Sequence, residues 1–190
     1  MSIKSRHDRF FKNYRPEMVP ANNRRGYKKV LVYVGDLYSW DLPDGSFPSV
    51  RRWMGFAELI SLGVFFGCAT ARAGINHAAY IAAPTIASLA AWIFELIAVG
   101  CFCLKKMPLM EDDYEYIDKV LPVTLIIRFI LLSFATAAGV VFFFLGGFSL
   151  PSLFVVFGFA LCAALAFYMF RKYRALIPHL KVTPSENAVG

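Results

Sequence analysis

The sequence predicts an all-α membrane protein. It reads as four transmembrane helices in an antiparallel bundle, preceded by a basic cytoplasmic segment that contains a small β-hairpin. Three observations carry this. The 190-residue chain is 58% hydrophobic with nineteen Phe, too apolar for an ordinary soluble domain. Four apolar blocks, about 54–71, 78–104, 120–145 and 148–170, are divided by short polar breaks. Lys and Arg fall almost entirely on one side of those blocks.

The N-terminal segment, 1–53, holds eleven Lys/Arg and five acidic residues. Its first 29 residues are polar, with Pro16, Pro20 and Gly26 interspersed, and read as flexible or locally ordered. Two β-prone runs follow, Val30–Val34 and Leu37–Leu42, around Gly35-Asp36. That pattern predicts a type II′ hairpin over 30–42, closed by a second turn at Pro43-Asp44-Gly45. No apolar run of signal-peptide length occurs in 1–53, so span one is expected to act as the insertion signal and stay.

Span one, 54–71, follows the helix-start pair Pro48-Ser49 and the interfacial Arg51-Arg52-Trp53. About 20 helical residues cross a hydrocarbon core of about 30 Å, so this block just suffices, and the second and third are long enough to tilt. Span two, 78–104, contains Pro84, a candidate kink. Spans three and four, 120–145 and 148–170, carry Pro122 and Pro151 in what read as their first turns. Gly146-Gly147 makes the connection between them tight, so those helices are expected to be antiparallel neighbours.

Besides the N-terminal eleven, three Lys lie in 105–119 and four Lys/Arg in the tail 171–190, whereas the two opposite connections hold Arg72 alone. The positive-inside rule then places both termini and the 105–119 loop in the cytoplasm, in what reads as a bacterial cell membrane.

Each span offers a stripe of small residues of the kind that lets helices approach closely in lipid. These are Gly63 and Gly67 in span one, Ala83, Ala87 and Ala91 in span two, Ala135 and Gly139 in span three, and Gly158 in span four. Glu95 continues the alanine stripe and lies ten residues from Lys105; Arg128 lies eight residues from Val120. At 1.5 Å per residue both sit about 12–15 Å below the same boundary. The sequence therefore predicts a Glu95–Arg128 pair between spans two and three, with Glu58 joining it or reaching the headgroups. Ionisable groups at such depth are functional candidates, because each costs at least about 2.5 kcal/mol to insert.

Cys68, Cys101, Cys103 and Cys162 lie in or beside apolar blocks and read as small apolar residues. No span contains His, so no bis-His haem is expected, and CxxC, Walker, GxSxG and HExxH patterns are absent from the sequence. The expectation is a non-enzymatic protein with no cofactor, no metal site and no nucleic-acid partner. Its expected partners are the lipid bilayer, with anionic lipid at the basic N-terminal segment, and either further copies of itself or another membrane protein. Two roles are open. One is an accessory or structural component of a membrane assembly. The other is a small oligomeric transporter or channel coupled to protons or cations through Glu95 and Glu58.

Overall fold

The computed structural model describes residues 13–20, 26–42, 45–147 and 149–184. In chain order the elements are strands β1 (Tyr14–Pro20), β2 (Tyr27–Tyr33) and β3 (Asp36–Trp40), helices α1 (Phe47–Thr70) and α2 (Ala79–Leu104), strand β4 (Leu109–Met110), helices α3 (Glu111–Phe142) and α4 (Leu150–Leu176), and strand β5 (Leu180–Pro184). A one-turn helix, Gly74–His77, joins α1 to α2, and a wide turn, Phe143–Gly147, ends α3. The residues divide into two compact units. One is helical (Trp40–Lys105 and Glu115–His179); the other contains the short strands.

All four helices are long and apolar enough to cross a membrane, which makes the chain an integral membrane protein. α1, α3 and α4 each run past one end of their apolar blocks, whereas α2 matches its block to within one residue. α1 begins at Phe47 with Pro48 in its first turn, where the missing N–H is harmless. α4 begins after Ser149, whose Oγ accepts from the Ser152 backbone N–H at 3.2 Å. α3 starts nine residues before the predicted span, at Glu111. The acidic triplet Glu111-Asp112-Asp113 is its first turn, where carboxylates complement the helix dipole, and not the centre of a loop. Pro122 therefore lies inside α3, not in its first turn.

In the helical unit, α1 makes its most extensive approach to α4, then to α2. The core is built from Phe65 and Cys68 of α1, Ile81 and Trp92 of α2, Leu132 and Ala135 of α3, and Val155, Phe159 and Cys162 of α4. At Gly158 α4 lies tightly against α1. A Cβ there would stand 2.1 Å from Cys68 Sγ and 3.3 Å from Val64 Cγ1. Gly139 is similarly confined, its would-be Cβ 2.6 Å from Val156 Cγ2.

Two stripes are turned elsewhere. Gly63, Gly67, Ala83 and Ala87 are exposed, and Ala91 is half-buried. Gly63 lies two residues from buried Ser61 and Phe65, hence on the opposite face. In α2 a four-residue spacing advances about 40° per step at 3.6 residues per turn. The row from Ala83 to Glu95 thus winds about 120° around the helix. Ala83 and Glu95 share a sequence spacing but not a face.

The small unit departs from the predicted hairpin. Both β-prone runs are strands, but they do not pair with each other. β2 pairs antiparallel with β1 over seven residues, from Tyr14↔Tyr33 to Pro20↔Tyr27. β3 pairs antiparallel with β4, through Leu37↔Met110 and Tyr38↔Leu109, and lies between β4 and β5. A type II′ turn requires a left-handed Gly35, whereas the positive-φ glycines among the described residues are Gly26 and Gly45. Gly35 is instead needed for closeness: a Cβ would meet Tyr33 Oη at 2.6 Å. β1, read as flexible, tolerates Pro16 because a two-stranded sheet has only edges. The predicted turn at Pro43-Asp44 lies outside the described residues.

Tyr33 ties this unit together. Its hydroxyl donates to the Asp36 carbonyl at 2.9 Å and accepts from the Glu111 backbone N–H at 3.0 Å. Asn13 Nδ2 donates to Glu111 Oε2 at 2.9 Å, and Tyr38 stacks on Tyr114 with centroids 4.3 Å apart. Burial, with the Glu111 and Asp112 carboxylates, raises the Tyr33 phenol above its ordinary range, although the Glu111 backbone bond opposes this.

A buried charge cluster as candidate functional site

Four ionic or polar side chains meet inside the helical unit. Glu58 comes from α1, Trp92 and Glu95 from α2, and Arg128 from α3. Their exposures are 2% for Glu58 and 0% for the other three. Local spacing explains why each points inward. Glu58, Ser61, Phe65 and Cys68 form the buried face of α1, and Ser88, Trp92, Glu95 and Ala98 that of α2. Arg128, Leu132, Ala135 and Gly139 recur at four, three and four residues along α3.

Arg128 is the centre. Its Nη1 donates to Glu58 Oε2 at 3.1 Å. Its Nη2 lies 3.0 Å from Glu95 Oε1, an ion-pair distance. The angles there do not make a hydrogen bond, and both Glu95 oxygens lack a hydrogen-bond partner among the described residues. The guanidinium carbon sits over the Trp92 ring, 4.3 Å from its centroid, a cation–π contact. Trp92 Nε1 donates to Glu58 Oε1, so Glu58 is held from two sides. Met169 of α4 places its Sδ 3.9 Å from Nη2. One guanidinium thus touches groups from all three other helices.

The structure brings Glu95, Arg128 and Glu58 together, with Glu58 in the cluster and away from the surface. Of the packing residues, Ala135, Gly139 and Gly158 are buried in the same helical unit, whereas Gly63, Gly67, Ala83 and Ala87 face outward. Sequence reasoning missed Trp92. The available signal was its position one helical turn before Glu95 on the same face. Arg51, read as part of an interfacial anchor, has a further role that the sequence did not indicate: its Nη2 donates to the Cys103 and Lys105 carbonyls at 2.6 and 2.7 Å and so caps the end of α2.

The arrangement is chemically unbalanced. Two carboxyl groups face one guanidinium, which stays charged at any accessible pH. With all three ionised, one negative charge is left over in a buried site. A proton or a cation would neutralise it. Glu58 also lines a groove of about 550 Å³ between α1 and α2. Among the described residues, no group of three or more His, Cys, Asp or Glu is placed to hold a metal ion. Comparison with known protein families, curated proteins and solved structures finds no match.

Proposed function

We propose that this chain is a non-enzymatic, multi-pass membrane protein that serves as an accessory or structural component of a membrane assembly. In this reading the charge cluster fixes the register of its four helices. The observation that carries it is that one buried guanidinium engages side chains from every other helix, all supplied by the chain itself. Such a site suits specifying one packing better than admitting a passing solute. The Lys/Arg bias supports an orientation with both termini in the cytoplasm, and a bacterial cell membrane fits that bias. The basic tail and the small strand unit then offer the surface on which a partner docks.

Purification in mild detergent with native mass determination tests this reading. It expects a second protein at fixed stoichiometry. A pure homo-oligomer that conducts protons or cations in liposomes overturns it.

A second reading has its own support in the two carboxyls facing one guanidinium and in the groove that reaches Glu58. It makes the chain an oligomeric transporter or channel in which Glu58 and Glu95 carry a proton or cation. Glu95→Gln separates the two: flux lost with folding intact favours transport, and unchanged flux excludes it.

A further inference from the structure

The groove between α1 and α2 is polarised along its length. Arg51 and Arg52, in the second turn of α1, stand at one end. Beyond them the walls are Phe56 and Leu59 of α1 and Leu96 of α2; Glu58 also lines the groove, but it is 2% exposed and both its oxygens are held by Trp92 and Arg128. The Phe56, Leu59 and Leu96 side chains are exposed, by 64, 63 and 36%, so the groove opens sideways toward the hydrocarbon. Gly100 supplies the space: a Cβ built there meets nothing within 4 Å. Arg51 spends its Nη2 on the end of α2, but its Nε is buried and lacks a hydrogen-bond partner. Arg52 is exposed beside it.

Two cations at the headgroup end and an apolar, laterally open channel beneath them match one kind of molecule. We propose that this groove binds a single anionic phospholipid from the surrounding bilayer. The phosphate lies against Arg51 and Arg52, and one acyl chain runs along Phe56, Leu59 and Leu96 past Gly100. The volume, about 550 Å³, lies within the usual range of small-ligand sites. Charge selects the headgroup, because each near-surface Arg favours an anionic lipid. A zwitterionic lipid would fill the channel equally well but gain less at the rim.

The test uses the full chain in mild detergent, titrated with phosphatidylglycerol or phosphatidylcholine and read by native mass spectrometry. The proposal expects one phosphatidylglycerol bound in preference to phosphatidylcholine. Arg52→Gln, at an exposed position, should weaken phosphatidylglycerol about fivefold, the equivalent of about 1 kcal/mol for one near-surface cation. Gly100→Leu should fill the channel, abolish retention of either lipid and leave the unfolding temperature at or above that of the parent. Equal binding of the two lipids by the parent overturns the proposal. So does undiminished retention by a folded Gly100→Leu. If Gly100→Leu fails to fold, Arg52→Gln decides, and unchanged preference for phosphatidylglycerol in that variant overturns it.

Discussion

Neutralising both acids at the centre of the helical unit would strand the Arg128 guanidinium, which cannot shed its charge to escape burial. Neutralising Arg128 instead leaves carboxyl groups, a chemistry that, unlike a guanidinium, has a neutral form available to it. The two changes should therefore differ in severity although they break the same pairs. Glu58→Gln/Glu95→Gln is expected to destabilise the protein by about 3–5 kcal/mol, the usual effect of orphaning a buried charge, and Arg128→Gln by less. Thermal unfolding in detergent orders them. Trp92→Phe keeps the ring under Arg128 but removes the donor to Glu58. Its expected loss is about 1.5–3 kcal/mol, that of a hydrogen bond to a charged group. Arg128 and Glu95 were legible in the sequence because charges interrupt apolar runs at matching depths. Trp92 was not, because an aromatic residue in an apolar block carries no such contrast.

At the scale of elements, the helices were legible and their faces only partly so. Apolar length marks a span but not where the helix continues into polar residues, so α3 begins at an acidic turn that hydropathy reads as loop. Small-residue spacing marks candidates for close approach without saying which of them face inward. The structure separates them, and substitution should as well. Gly158→Ala drives a methyl group into Cys68 Sγ and is expected to cost about 1–3 kcal/mol as overpacking. Adding Cys68→Ala should recover part of it, a coupling that a double-mutant cycle measures. Gly63→Ala meets nothing within 4 Å and should stay within about 0.5 kcal/mol of the parent. The strands were harder to pair than to find. β4 is two residues long and lies about 70 positions after its partner, and no local turn joins β3 to β4 or β5. In that unit, Tyr33 adds a pH dependence. Its phenol is raised from the ordinary value of 10.0 in the folded chain. The protonated form is therefore the stabilising one, fully present below that value and lost as the pH rises through the folded value. Tyr33→Phe should flatten this alkaline loss in a near-ultraviolet melt.

At the scale of the whole molecule, all four helices contribute side chains to one internal ionic centre, which we propose fixes their packing. Cysteine labelling of single-site variants in intact cells tests the orientation. Positions in 171–184 should be protected from an impermeant reagent and positions near Asn76 accessible. The reverse pattern would invert the topology. The most direct test of the central claim compares Glu58→Gln/Glu95→Gln with Glu58→Gln/Glu95→Gln/Arg128→Gln by thermal unfolding and monodispersity in one detergent. A severe loss is expected in the first and recovery of most of it in the second, because the third change removes the stranded cation. A first variant as stable as the parent, or a second no better than the first, would contradict it.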